Sequence, residues 1–202
     1  MKRIMFDPKQ CCFCGACSAA CSLVKNGRID PAVSRIHVET AGNCVPLRAA
    51  VCRHCEDPAC VTACMRGIIE KDETTGLVTR RYQDCFRCAA CAVNCPVGAC
   101  VQDKDLGAFI ACDLCGGDPL CVRACLRGAL RYEDDAENSA GLRGRYAETM
   151  FEGKPQQAED LTDGQWEEIV QILSSAGISA RSDELKSYRD ALLSTAEKEG
   201  LR

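Results

Sequence analysis

The segment CFRCAACAVNCP, Cys85 to Pro96, sets four cysteines within eleven residues as C-x2-C-x2-C-x3-C. Working outward, Cys11, Cys14, Cys17 and Cys21 repeat that spacing near the N-terminus. Cys52, Cys55, Cys60 and Cys64 widen the middle gap to four residues, and Cys112, Cys115, Cys121 and Cys125 widen it to five. Sixteen of the nineteen cysteines thus fall into four quartets. The second and fourth form an internal repeat: CRHCEDPACVTACMRG (Cys52 to Gly67) matches CDLCGGDPLCVRACLRG (Cys112 to Gly128) with one residue inserted before Pro119.

Spacing this tight lets three thiolates of a quartet close on one corner-bound cube while the fourth points to another, the ligand pattern of bacterial two-cluster ferredoxins. The reading is four [4Fe-4S] clusters and a path for electrons. Soft thiolates also select zinc, but structural zinc takes two separated C-x2-C pairs, and in the first and third quartets a third cysteine follows after only two residues. A secreted disulfide scaffold is disfavoured by the odd cysteine count and by the start MKRIMFDPKQ, which has neither an apolar signal stretch nor twin arginines. No run of eighteen apolar residues is present to span a membrane, and a reducing cytoplasm is the expected location.

The apolar content of 47% includes the nineteen cysteines; without them it falls to roughly 38%, so the side-chain core should be thin and the clusters should supply much of the folding energy. Charge divides along the chain. Residues 1–132 hold 17 Lys/Arg against 13 Asp/Glu, net +4, and residues 133–202 hold 8 against 16, net −8. Each oxidised cluster with four thiolates is formally about −2, which Arg53, Arg66, Arg87, Arg123 and Arg127, in or beside the quartets, can offset. The clusters cancel the positive balance that a nucleic-acid partner would require.

The expected fold class is α+β: ferredoxin-like modules of short strands and short helices over residues 1–132, then an acidic linker and a C-terminal helical hairpin over 133–202. Arg3–Phe6 and Arg35–Val38 are candidate strands that could pair. Ile68–Glu70 and Leu77–Thr79 read as a hairpin, and Ala129–Tyr132 closes the set. One-to-two-turn helices should hold the fourth cysteines. Gly67, Gly98 and Gly128 each stand three residues after a fourth cysteine, either as plain turns or to aim backbone N–H groups at cluster sulfur. In the tail, Thr162 and Gln165 offer a capping box with Leu161 as staple, Trp166, Ile169, Val170 and Leu173 form an apolar stripe, and Gly177 stops the helix. Ser182 caps a second helix carrying Leu185, Tyr188 and Leu192. The stripe packs on the cluster region or docks a partner.

Spacing alone leaves cluster sharing open. The second and third quartets can form a module (about residues 45–100) nested inside one made by the first and fourth, or the quartets can pair sequentially. The segments CRHCEDPAC, CFRCAACAVNCPVGA and ACDLCGGDPLCVRAC resemble the four-cluster electron-transfer subunits of the dimethyl sulfoxide reductase type. With CSLVKNGRIDPAVSRIHVE, the chain further resembles ferredoxin subunits associated with carbon monoxide dehydrogenases, tungsten aldehyde oxidoreductases and benzoyl-CoA reductases. The resemblance covers residues 1–132 and implies nested sharing: Cys11, Cys14 and Cys17 with Cys125; Cys52, Cys55 and Cys60 with Cys95; Cys85, Cys88 and Cys91 with Cys64; Cys112, Cys115 and Cys121 with Cys21. The chain departs from the family pattern at Ser22, Met65 and Leu126, where proline commonly follows the fourth cysteine. Cys12 could substitute for Cys11, though spacing favours Cys11. Cys44 and Cys100 read as small buried hydrophobes. His54 should hydrogen-bond backbone or sulfur, and His37 is a strand residue.

A compact region of 132 residues has a diameter of about 36 Å, so four clusters strung across it leave steps of about 12 Å or less, short enough for tunnelling. With every iron closed by cysteine and no nucleotide loop or nucleophile constellation in view, catalysis belongs to a partner. The leading function is therefore an electron-transfer subunit of an anaerobic oxidoreductase complex, a hetero-oligomer with a catalytic subunit of tungsten, molybdenum or carbon monoxide dehydrogenase type and a further donor or acceptor protein. The competing classes are a free soluble polyferredoxin serving several enzymes and a redox-sensing iron–sulfur protein.

Overall fold

The computed structural model describes residues 1–39, 48–134, 161–179 and 181–198. Cys44, the glycine- and proline-bearing stretch 138–160 and Gly200 lie outside them. The architecture is α+β. In chain order its elements are β1 (Lys2–Phe6), α1 (Ala16–Asn26), β2 (Ile36–Glu39), β3 (Arg48–Val51), α2 (Ala59–Thr62), β4 (Ile69–Lys71) and β5 (Val78–Arg80). There follow α3 (Ala90–Val93), β6 (Val101–Asp103), β7 (Ala108–Ile110), α4 (Leu120–Arg123), β8 (Leu130–Asp134), α5 (Asp163–Ser175) and α6 (Ser182–Lys198).

The strands form four antiparallel pairs, β1–β8, β2–β3, β4–β5 and β6–β7. The pairing of β1 differs from the sequence reading. Its partner is β8, with Lys2 opposite Asp134 and Phe6 opposite Leu130, whereas the strand at 36–39 pairs with β3. The ends of the cysteine-bearing region are thereby stitched together, and Ile4, Phe6 and Leu130 are buried beside Ile36 and Val51 in one core. The β4–β5 hairpin forms where its alternating Ile and Val residues suggest, with Asp72 Oδ1 accepting from the N–H groups of Thr74 and Thr75 in the turn. The β6–β7 hairpin is an addition to the expected strands. Buried Asp103 anchors it, accepting from the backbone of Asp105 and Leu106 and from Asn26 Nδ2 at the end of α1.

The helices also correct an expectation. The four-residue helices α2, α3 and α4 carry the third cysteines Cys60, Cys91 and Cys121, not the fourth; Cys64, Cys95 and Cys125 follow just beyond each helix end. Only α1, at 11 residues, is long enough to hold a third and a fourth cysteine together, Cys17 and Cys21.

At the other end of the chain, α5 starts with a complete capping box. The N–H of Gln165 donates to Thr162 Oγ1 and the N–H of Thr162 donates to Gln165 Oε1. It stops at Gly177, whose φ of +76° lets Ile178 N–H reach the Leu173 carbonyl and Gly177 N–H reach that of Ser174, a Schellman pair. The second tail helix begins at Ser182, with the Arg181 carbonyl accepting from Leu185 N–H. The apolar stripe Trp166, Ile169 and Leu173, with Leu161 and Leu185, packs on Ala16, Ala19, Ala20 and Leu23 of α1. Each large side chain so buried stabilises the contact by about 1.5–3 kcal/mol. Gly15, at φ +73°, sits under Leu192 and Tyr188, where a Cβ would collide with both.

Docking of α5 on α1 makes two substitutions informative. Ile169→Ala should cost about 2–5 kcal/mol and Thr162→Ala about 1 kcal/mol in anaerobic denaturant unfolding followed by the helix signal. An Ile169→Ala cost well under that of the cap variant would show that the stripe is not buried as described.

Candidate metal centres

Each quartet begins with the same backbone device. The residue two positions after the first cysteine is Phe13, His54, Arg87 or Leu114, and all four have positive φ, between 44° and 59°. A left-handed conformation in a residue with a Cβ costs of order 1–3 kcal/mol. It turns the amide of Phe13, Arg87 and Leu114 onto the sulfur of Cys11, Cys85 and Cys112, each at 3.4 Å, and the His54 amide likewise bonds Cys52. No sequence signal marks this, since Phe, His, Arg and Leu share no chemistry; only their common offset from a cysteine connects them.

The fourth cysteines also accept amide hydrogens. Arg35 N–H reaches Cys21 Sγ at 3.3 Å, and Ala99 N–H reaches Cys95 Sγ at 3.3 Å. Gly98, at φ +66°, makes its own N–H bond to the Cys95 carbonyl, and the following amide is the one turned toward sulfur. Gly128 repeats this, with its N–H on the Cys125 carbonyl and the Ala129 amide on the Cys125 sulfur. These glycines act as turns, and through the turn they set the donor.

The sixteen cysteines gather in space as follows. Cys21, from α1, lines one cavity with Cys112, Cys115 and Cys121. Cys64 lines another with Cys85, Cys88 and Cys91. Cys125 stands close enough to Cys11 and Cys17 for charge on one to disfavour charge on the others, and Cys14 neighbours Cys17. Cys60 stands in the same relation to Cys95 and Cys55, and Cys52 to both Cys60 and Cys55. Neighbouring groups lie within electrostatic reach of one another: Cys17 acts on Cys121, and Cys52 acts on Cys112.

Burial dominates the electrostatics of these thiols. It pushes Cys11 and Cys112 up to about 12 and raises Cys17 and Cys121 as well. Cys95 is the opposite case: a hydrogen bond from Cys100 and the amides of Ala99, Val97 and Gly98 bring it down to about 5. Donors of this kind suit a sulfur that carries negative charge, and soft sulfur around a cavity fits an iron–sulfur cube. When bound, such a cube takes up and releases one electron.

Two arginines near the sulfurs are additions to those the sequence singles out. Arg35 is buried and shares Asp113 with Lys25, at 2.7 and 2.9 Å, beside Cys112. Arg80 lies beside Cys52, Cys60 and Cys91. Of the arginines singled out from sequence, Arg123 pairs with Asp118 at 3.2 Å, Arg66 lies 4.1 Å from the Phe86 ring centre, and Arg127 neighbours Cys12. His54 is buried, and its Nδ1 accepts from Val78 N–H at 2.9 Å, which leaves hydrogen on Nε2. His37 lies in β2. Cys100 is not a passive hydrophobe, because its sulfur accepts from Arg80 Nη2 at 3.3 Å beside Cys91 and Cys95. Cys12 packs in the α1–α5 core with its thiol on Cys14 and Arg127. Cys12→Ser should therefore leave iron content unchanged while Cys11→Ser lowers it, measured as iron per chain after anaerobic purification; equal losses would make Cys12 a ligand.

A family model described as a 4Fe-4S dicluster domain matches residues 44–135. The β subunit of NADH-dependent phenylglyoxylate dehydrogenase from Aromatoleum evansii is 40% identical over 132 residues, 64% of this chain and 29% of that protein, so the chain spans less than a third of that relative. The polyferredoxin-like subunit of an aliphatic sulfonate oxidoreductase from Pyrococcus furiosus is 38% identical over 124 residues, 60% of this chain and 70% of the relative. One subunit of the anaerobic dimethyl sulfoxide reductase of Haemophilus influenzae is 30% identical over 146 residues, 63% of this chain and 71% of the relative. The chain belongs to the 4Fe-4S dicluster family of iron–sulfur electron-transfer proteins.

Proposed function

We propose that this protein is the electron-transfer subunit of an oxidoreductase complex. In this reading it carries four [4Fe-4S] clusters and passes single electrons between a catalytic subunit and a further redox carrier. The observation that carries the reading is the shared cavity of Cys21 with Cys112, Cys115 and Cys121, matched by that of Cys64 with Cys85, Cys88 and Cys91. A fourth cysteine that leaves its own quartet for another is the two-cluster ferredoxin arrangement. The remaining sets are then Cys11, Cys14, Cys17 with Cys125 and Cys52, Cys55, Cys60 with Cys95. The antiparallel β1–β8 pairing supports an outer module, made by the first and fourth quartets, that encloses the inner one.

Electrostatic proximity between neighbouring sets supports an order of first, fourth, second, third. The chain's own contribution is to hold those sites in line and to present N–H donors and arginines to the added negative charge. The two ends differ. The first site lies under α5 and α6, near Tyr188. At the third, Cys88 is exposed beside Met65 and Phe86, which are 91% and 69% exposed. The further carrier exchanges electrons at this open end. Relatives named as subunits of phenylglyoxylate dehydrogenase, sulfonate oxidoreductase and dimethyl sulfoxide reductase support a catalytic partner with its own active centre. Residues 1–132 form the relay and the segment after them an appended helical unit.

Anaerobically purified protein should hold about sixteen irons and as much labile sulfide per chain, in four cubes. In low-temperature EPR after dithionite, Cys64→Ser and Cys88→Ser should disturb the same signal, and Cys55→Ser a different one. If Cys64→Ser instead matches Cys55→Ser, each quartet serves its own cluster and the nested assignment fails.

A further inference from the structure

Between the second and third quartets runs a polar link made by residues that are not cluster ligands. Strand alternation puts Arg80 on the same face of β5 as buried Val78, two residues earlier, and so toward the cysteines. Arg80 Nη2 donates to Cys100 Sγ at 3.3 Å, and Arg80 Nε is buried with no hydrogen-bond partner. Cys100 in turn neighbours Cys91 and Cys95. In the nested assignment, on which this inference rests, Cys91 belongs to the third site and Cys95 to the second. The guanidinium also lines the cavity of Cys64, Cys85, Cys88 and Cys91, while its charge reaches Cys52 and Cys60 of the second site. Among the described residues the groups that favour the Arg80 charge are Cys100, Cys52, Cys60 and Tyr82, with no carboxylate among them. A half-buried cation without a carboxylate needs negative charge nearby, and two thiolate-ligated sites supply it.

We propose that Arg80 and Cys100 form a hydrogen-bonded bridge between the second and third cluster sites and raise the reduction potentials of both above those they would otherwise have. Reduction adds one negative charge to a site. A guanidinium a few ångströms away lowers the energy of that added charge, and Cys100, while it accepts from Arg80, donates its S–H hydrogen to a ligating sulfur, with the same effect. One cation placed between two sites also moves their potentials together, which leaves the step between them unchanged. Arg80 and Cys100 are thus positioning residues for electron transfer, acting through the ligand sulfurs.

The test is an anaerobic redox titration of the cluster-loaded full chain, followed by EPR, with iron and sulfide measured on each sample. Arg80→Gln should keep full iron and lower two of the four potentials, each by at least tenfold in the one-electron equilibrium constant, which is 59 mV. The other two should stay in place. Arg80→Lys, which keeps the charge, should recover more than half of the shift, and Cys100→Ala should move the same two centres in the same direction. Unmoved potentials in Arg80→Gln, a uniform shift of all four, or equal shifts in the Gln and Lys variants would overturn the bridge. Should Arg80→Gln fail to load its clusters, Cys100→Ala decides: unmoved potentials there overturn the bridge as well. An unsubstituted protein with fewer than four cubes would instead refute the four-cluster reading, a separate result seen before any variant is made.

Discussion

Sulfur atoms far apart in sequence come together in space, and under the proposed cluster sharing that convergence organises the rest of the molecule. Cys21 must leave α1 toward residues ninety or more positions away, and it lies with Cys112, Cys115 and Cys121. Cys125 must return to the start of the chain, and β8, directly after it, runs antiparallel to β1 just before Cys11. The strands are short, from three to five residues, and pair only in twos. Such pairs are marginal alone in water. Their role is to fix the loops on which the cysteines stand, while metal binding supplies the cohesion that a thin core lacks.

A second demand follows from charge. Thiolates buried together repel one another and are costly to ionise, which burial of Cys11, Cys17 and Cys112 makes plain. The fold answers with amides, at least two in each of the first, third and fourth quartets, and with arginines drawn in from β5 and from just before β2. The strained residues Phe13, His54, Arg87 and Leu114 belong to this answer. Their unfavourable backbone conformations persist because each turns an N–H onto a sulfur, and backbone strain of that kind clusters at functional sites.

Much of the local structure is legible in the sequence because it follows from nearest neighbours. The quartets announce themselves by spacing. The β4–β5 hairpin is written in Ile69, Val78 and the Asp72 to Gly76 turn, and the α5 boundaries in Thr162, Gln165 and Gly177. What escapes is long-range or depends on conformation alone. The pairing of β1 with β8 joins residues about 130 positions apart, and nothing in either strand's own pattern singles out the other. The three-residue strands β6 and β7 are too short to show alternation, and their anchor, Asp103, resembles any turn aspartate until Asn26 is found beside it. Arg80 has the sequence setting of a hairpin surface residue, and only its neighbours on three other segments reveal it. Cys100 reads as filler for the same reason, since no local signal marks a cysteine that accepts from Arg80 beside Cys91 and Cys95.

The most direct measurement of the central claim is an anomalous difference map at the iron edge from anaerobically grown crystals. Four separate iron centres should appear in the order first, fourth, second, third, with Cys21 on the centre held by Cys112, Cys115 and Cys121 and with neighbouring centres within about 12 Å, as a relay through a body of this size requires. Fewer than four centres, Cys21 on the same iron cube as Cys11, or a gap too wide for an electron to cross would contradict it.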